Sequence, residues 1–226
     1  MRNVMKAATL ESRFPLMAVE HGCIISKDAD ITVAYRMELP EVFTLTRAEY
    51  EAMHSTWVKA VKVLPEYSIV HKQDIFIEES YRPEACGEER SFLSRSFERH
   101  FNERPYLKHT CYLFLTRTTK EHSRTTSSFN ALTRGFIIPR EMRDKEAVAR
   151  FLECCGQFER IVNDSGLVRM ERLADGEITG TGTSAGIIEK YLSLSQEGCT
   201  CLQDITIGAG EMKIGDSRLC LHTLSD

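Results

Sequence analysis

The sequence predicts an α+β protein, and three observations carry that expectation. Ile31, Val33, Tyr35, Met37 and Leu39 alternate with Thr32, Ala34, Arg36 and Glu38, the period of two that marks a half-buried strand. Met53, Trp57, Ala60, Val61 and Leu64 recur at helical spacing. Val148, Phe151, Leu152, Cys155, Phe158 and Val162 form a longer stripe of the same kind. The elements run β-α-β, then an inserted helix, then β-α-β. That order predicts a split βαβ, or ferredoxin-like, sheet with an inserted helix and extra flanking hairpins.

Each element has a local cause. Residues 23 to 39 read as a hairpin about the polar turn Lys27-Asp28-Ala29-Asp30, and Pro40 ends it because proline donates nothing to a ladder. Thr46 and Glu49 have the spacing of a capping box, so a helix over about 47 to 63 is expected, closed by Pro65. Trp57 is expected in its core-facing stripe. Residues 68 to 79 read as a strand with a polar centre at His71-Lys72-Gln73-Asp74, which suggests a bulge or an exposed strand end. A second helix follows from Glu88 to Glu103, with Leu93, Phe97 and Phe101 on one stripe, and Pro105 closes it. The apolar run Cys111 to Leu115 predicts a central strand covered on both faces.

Residues 116 to 135 are a long polar stretch, expected to be a solvated linker or a contact loop in which Phe129 and Leu132 anchor a partner. A third helix is expected over about 140 to 163, with Gly166 just past its end, then a strand over 167 to 173. A Gly/Thr-rich segment leads into a short helix near Ile187 to Leu192, and strands DITIG, MKIG and RLCLHTL close the chain. The organisation expected is a lead segment, 1–22, and a single α+β domain, 23–226.

Composition narrows the function. The 226 residues carry 29 basic and 33 acidic side chains, a net charge of −4, and 42% are hydrophobic. Such a chain can bury a sizeable core without staples, and its charge is wrong for a nucleic-acid glove. No apolar run approaches the length of a membrane span, and the first residues show no apolar core of a signal peptide. A globular intracellular protein is expected. Its eight cysteines then read as small buried residues rather than a disulfide framework.

Gly180-Thr181-Gly182-Thr183-Ser184-Ala185-Gly186 resembles a phosphate cradle, but Ile187 and Ile188 stand where a P-loop needs Lys and Ser or Thr. It reads as a flexible loop feeding a helix. Cys199, Cys201, Cys220 and His222 offer zinc-ligand types at poor spacing, so incidental placement competes with a metal site. Cys154 and Cys155 read as packing, and nothing in the sequence ties His54, His71, His100, His109 or His122 to any thiol. Arg95, Arg99, Arg104 and Lys108 form a basic face, to be weighed as solvated surface or as phosphate contact.

Longer strings say more. KDADITVAYRMELPEVFTL, EYEAMHSTWVKAVKVLP, IVHKQDIFIEESY, SFLSRSFERHFNERP, YLFLTRTT, FERIVNDSG, YLSLSQEG and LCLHTLSD together resemble the N-terminal region of TraG-type ATPases of bacterial conjugative transposons. Those proteins belong with the type IV secretion ATPases that drive DNA transfer between cells. The resemblance implies a non-catalytic docking or assembly domain, whose partners are other conjugation and secretion channel proteins at the inner membrane. It further implies a cytoplasmic, membrane-peripheral location and oligomerisation through the longer protein. ATP and magnesium would belong only to a C-terminal RecA-like motor that this chain lacks, so the chain reads as a piece of a longer protein. No catalytic, cofactor or metal residue carries over. The alternatives are a nucleic-acid-binding module, using the Arg95, Arg99 and Arg104 face with Arg117, Lys120 and Arg124, or a small thiol or zinc enzyme.

Overall fold

In a computed structural model of the chain, residues 14–28, 30–80, 91–102, 104–118, 145–193, 205–208, 211–215 and 217–222 are described. The expected loop over 116 to 135 therefore lies almost entirely outside them, as do Lys120, Arg124, Phe129, Leu132, Cys199 and Cys201. The fold is α+β, and it divides into two compact units built from interleaved segments. One holds residues 1–34, 116–148 and 172–226, the other residues 35–115 and 149–171.

In the first unit, β1 (Leu16–Glu20) pairs antiparallel with β2 (Cys23–Ser26), and β2 with the start of β3 (Ile31–Glu38). The β2–β3 register, Cys23 opposite Val33 and Ile25 opposite Ile31, matches the hairpin expected from the alternation. Strand β1 lies in what the sequence offers only as a lead segment. His21 and Gly22 join β1 to β2 with φ of 55° and 69°, the double left-handed conformation of a tight hairpin turn. Asp175 accepts from the N–H groups of both turn residues, and Arg172 donates to both of their carbonyls. This clamp fixes the start of α4 (Asp175–Thr179) against the hairpin. α5 (Ile187–Ser193) follows, and β7 (Ile205–Ile207), β8 (Met212–Ile214) and β9 (Ser217–Leu219) form an antiparallel meander.

The second unit takes the rest of β3, then α1 (Arg47–Lys62), β4 (Ser68–Ser80), α2 (Phe92–Asn102), β5 (Pro105–Arg117, to Leu115), α3 (Lys145–Asp164, from Ala149) and β6 (Arg169–Arg172, to Glu171). Its strands lie in the order β4-β5-β3-β6. Strand β5 is central, and Cys111, Tyr112, Leu113 and Leu115 are all buried, as the apolar run implies. Both caps of the α1 box are made: Glu49 N–H donates to the Thr46 hydroxyl, and Thr46 N–H to the Glu49 carboxylate.

Helix α3 packs the core. Phe151, Cys155, Phe158 and Val162 are each at most 1% exposed. Tyr35 is buried beside them and donates its hydroxyl to the Cys155 carbonyl at 3.3 Å. Past the stripe, the Asn163 amide both donates to the Met170 carbonyl (2.9 Å) and accepts from its N–H (2.7 Å), tying the helix end to β6. The α1 stripe is weaker than its sequence suggests. Trp57 is only half-buried, its ring tilted against Phe158 at 5.9 Å, and Val61 is exposed. Ala60 alone is buried, because α1 touches the core along one narrow line that its small residue occupies.

Candidate functional site

The expected second helix forms as α2, and none of its residues is buried. It begins at Ser91, whose hydroxyl accepts from the Ser94 N–H as a helix cap. Leu93, Phe97 and Phe101 recur every fourth residue and line one side, with exposures of 78%, 65% and 44%. The Phe97 and Phe101 rings meet each other at a tilt, with centroids 4.4 Å apart. Arg95 and Arg99 stand on the opposite side at helical spacing. The sequence showed the stripe correctly; what it could not show is that the described residues leave it uncovered.

The helix sits between the far ends of two thirteen-residue strands, β4 and β5. Contacts descend one strand as they climb the other: His71 meets Phe114, Asp74 meets His109, and Glu79 meets Tyr106 and Lys108. The pair is thus an antiparallel arm, and at its outer end Phe76, Tyr106 and Leu107 are exposed while Ile75, Ile77 and Glu79 on the other side of β4 are half-buried. A patch of exposed aromatic and aliphatic side chains on one projecting element is what protein contact surfaces are built from.

Nearer the core, the same arm carries a polar cluster. Alternation puts Lys72, Asp74 and Phe76 on one face of β4, and His109 and Cys111 on the same face of β5. His109 Nε2 lies 2.8 Å from Asp74 Oδ1, and Lys72 pairs with the other carboxylate oxygen. Phe76 stacks flat on the His109 ring at 4.6 Å and 11°. Ligating atoms of Asp74, His109 and Cys111 all fall within 4.8 Å of one another. The hydrogen bond from Lys72, joined by that from His109, holds the Asp74 carboxyl down at about 2. Burial, reinforced by the Asp74 carboxylate, pushes the Cys111 thiol up to about 11. A thiol so placed stays protonated at neutral pH, the reverse of an activated nucleophile.

This cluster corrects the sequence reading, which tied His109 to no thiol. The polar centre of β4, His71 to Asp74, lies inside the strand rather than at its end. Lys72 and Cys111, the cluster's most distant members, are 39 residues apart along the chain, and the cluster meets only through strand pairing, a register the sequence does not spell out.

The glycine loop is closed on itself. Thr181 and Ser184 exchange backbone hydrogen bonds across it, and the Glu189 carboxylate accepts from the Gly186 N–H at 3.0 Å. A side chain at Gly186 would meet the Gly180 nitrogen at 2.1 Å, so close backbone approach explains that glycine. The amide a phosphate would use already holds an acid. Elsewhere Cys155 is core, as expected, and Cys220 and His222 are exposed. Of the basic face, Lys108 is bonded to Glu79, and Arg117 is half-buried with one guanidinium nitrogen inside.

A family model described as "Domain of unknown function, B. Theta Gene description (DUF3875)" matches residues 3–55. No curated protein matches the chain. Among the described residues no helix is long and apolar enough to cross a membrane.

Proposed function

We propose that this chain is a non-catalytic docking and assembly domain of a conjugative-transfer ATPase of the TraG type. The observation that carries the reading is α2, an amphipathic helix at the end of an arm whose apolar stripe of Leu93, Phe97 and Phe101 faces outward. Exposed apolar surface of that kind is costly unless a partner covers it. The occupant we assign is an apolar helix face of a channel protein at the inner membrane, in keeping with the resemblance.

Other features support the same reading. The match over residues 3–55 is in keeping with a conjugative element of Bacteroides. The Glu189 carboxylate already takes the Gly186 amide that a phosphate would use at the helix start, which is in keeping with a non-catalytic role. The succession β3-α1-β4-β5-α3-β6 and the order β4-β5-β3-β6 support a split βαβ description of the second unit, with α2 as the insertion.

The test is site-specific cross-linking from Phe97 in cells actively transferring DNA. Cross-links to an inner-membrane protein of the same transfer machine are expected. Cross-links to transferred DNA, or none while transfer proceeds, would overturn the assignment.

A further inference from the structure

The polar cluster on the arm has a composition that the docking role does not use. Asp74, His109 and Cys111 supply one oxygen, one nitrogen and one sulfur donor from two paired strands. From this geometry we infer a divalent transition-metal site, of the zinc class, ligated by Asp74, His109 and Cys111.

The donor set selects the ion. Thiolate and imidazole favour zinc and its neighbours, whereas magnesium and calcium take oxygen donors alone. Bonds of about 2.0–2.3 Å put tetrahedral ligand atoms about 3.3–3.6 Å apart. The three donors already lie within 4.8 Å, with Asp74 and His109 at 2.8 Å. Closing the site therefore takes adjustments of about an ångström in the donor positions.

The surroundings suit a held ligand set. His109 is fixed in its ring plane by the stacked Phe76, and an oriented imidazole is what metal sites require of their supporting residues. Cys111 is buried, so its sulfur approaches from the protein side. His109 and Asp74 are each about one-third exposed, which leaves a fourth position to water. Lys72 is the competitor: its ammonium holds the Asp74 carboxylate and must swing into solvent as the ion arrives. The thiol proton leaves to solvent and the His109 proton shared with Asp74 moves to Nδ1, so one divalent ion replaces one released proton, one hydrogen bond and one displaced ammonium contact.

The experiment is a titration of the reduced, chelator-treated protein with cobalt(II), followed by zinc. Expected are a thiolate-to-cobalt charge-transfer band and the visible bands of a tetrahedral ion, both erased by zinc. Cys111→Ser removes the charge-transfer band. His109→Ala and Asp74→Asn, each checked by its melting curve to be folded, weaken binding by about tenfold or more. Lys72→Met binds at least as tightly as the parent. Absence of the thiolate band, or a band that survives Cys111→Ser and so arises at another cysteine, overturns the site. Neither result touches the docking assignment, which rests on α2.

Discussion

The Glu189 carboxylate accepts the Gly186 N–H at 3.0 Å, so the start of α5 is capped by the protein's own acid. A glycine-rich turn that enters a helix is ordinarily a place for an anion. Here a carboxylate fills it, and a bound phosphate would have to displace a like charge. Calorimetric titration of this chain with magnesium-ATP is therefore expected to show no binding; a micromolar site would contradict the account. Gly186→Ala is expected to destabilise the fold by about 1–3 kcal/mol, because the added carbon meets backbone that cannot retreat.

The Trp57–Phe158 contact separates two depths of burial. Phe158 is fully buried, so Phe158→Ala should cost about 3–5 kcal/mol. Trp57 is half-buried, and Trp57→Ala should cost about half as much, roughly 2 kcal/mol. A double-mutant cycle in denaturant is expected to give a coupling of about 0.5–1.5 kcal/mol for the ring pair.

Asn163 gives a test of the β6 attachment. Asn163→Ala leaves the Met170 N–H and carbonyl without that side-chain partner, at a cost of about 1–3 kcal/mol. Asn163→Asp keeps the acceptor and loses the donor, so its melting temperature should fall between the two.

The capping box of α1 gives a pH dependence with a fixed sign. Hydrogen bonds from the Thr46 N–H and hydroxyl hold the Glu49 carboxyl below its ordinary value of 4.5. A lowered acid contributes stability above its unfolded-state pKa and loses it as pH falls through the folded one. Helix content of α1 should thus be insensitive to pH near neutrality and weaken on acidification below about 4.5. Thr46→Ala should cost about 1 kcal/mol at neutral pH and make the acid sensitivity shallower, which denaturation at several pH values would show.

How much was legible in the sequence depends on the range of the signal. The β2–β3 alternation, the Thr46–Glu49 box and the Phe151 to Val162 stripe are local, and each becomes the element it implies. Strand β1 escaped because LMAVE is short and half-buried on both sides, so it carries no clean period. The α1 stripe overstated its core: helical spacing shows which side Val61 shares with Trp57, not how far the neighbouring layer extends. Leu93, Phe97 and Phe101 were visible as a stripe for the same reason, while their exposure is a tertiary fact. Asp74, His109 and Cys111 meet through strand register across a long connection, and no pattern within either segment announces it.

The central claim is that the outward face of α2 is a contact surface, and DNA transfer measures it most directly. Leu93→Ser, Phe97→Ser and Phe101→Ser are to be combined in a donor strain whose transfer depends on this protein. The exposed positions mean that the purified triple variant should melt as the parent does. Interface anchors are worth about 2 kcal/mol or more each, so transfer frequency is expected to fall by at least about tenfold. Undiminished transfer by a stably folded triple variant would contradict the account.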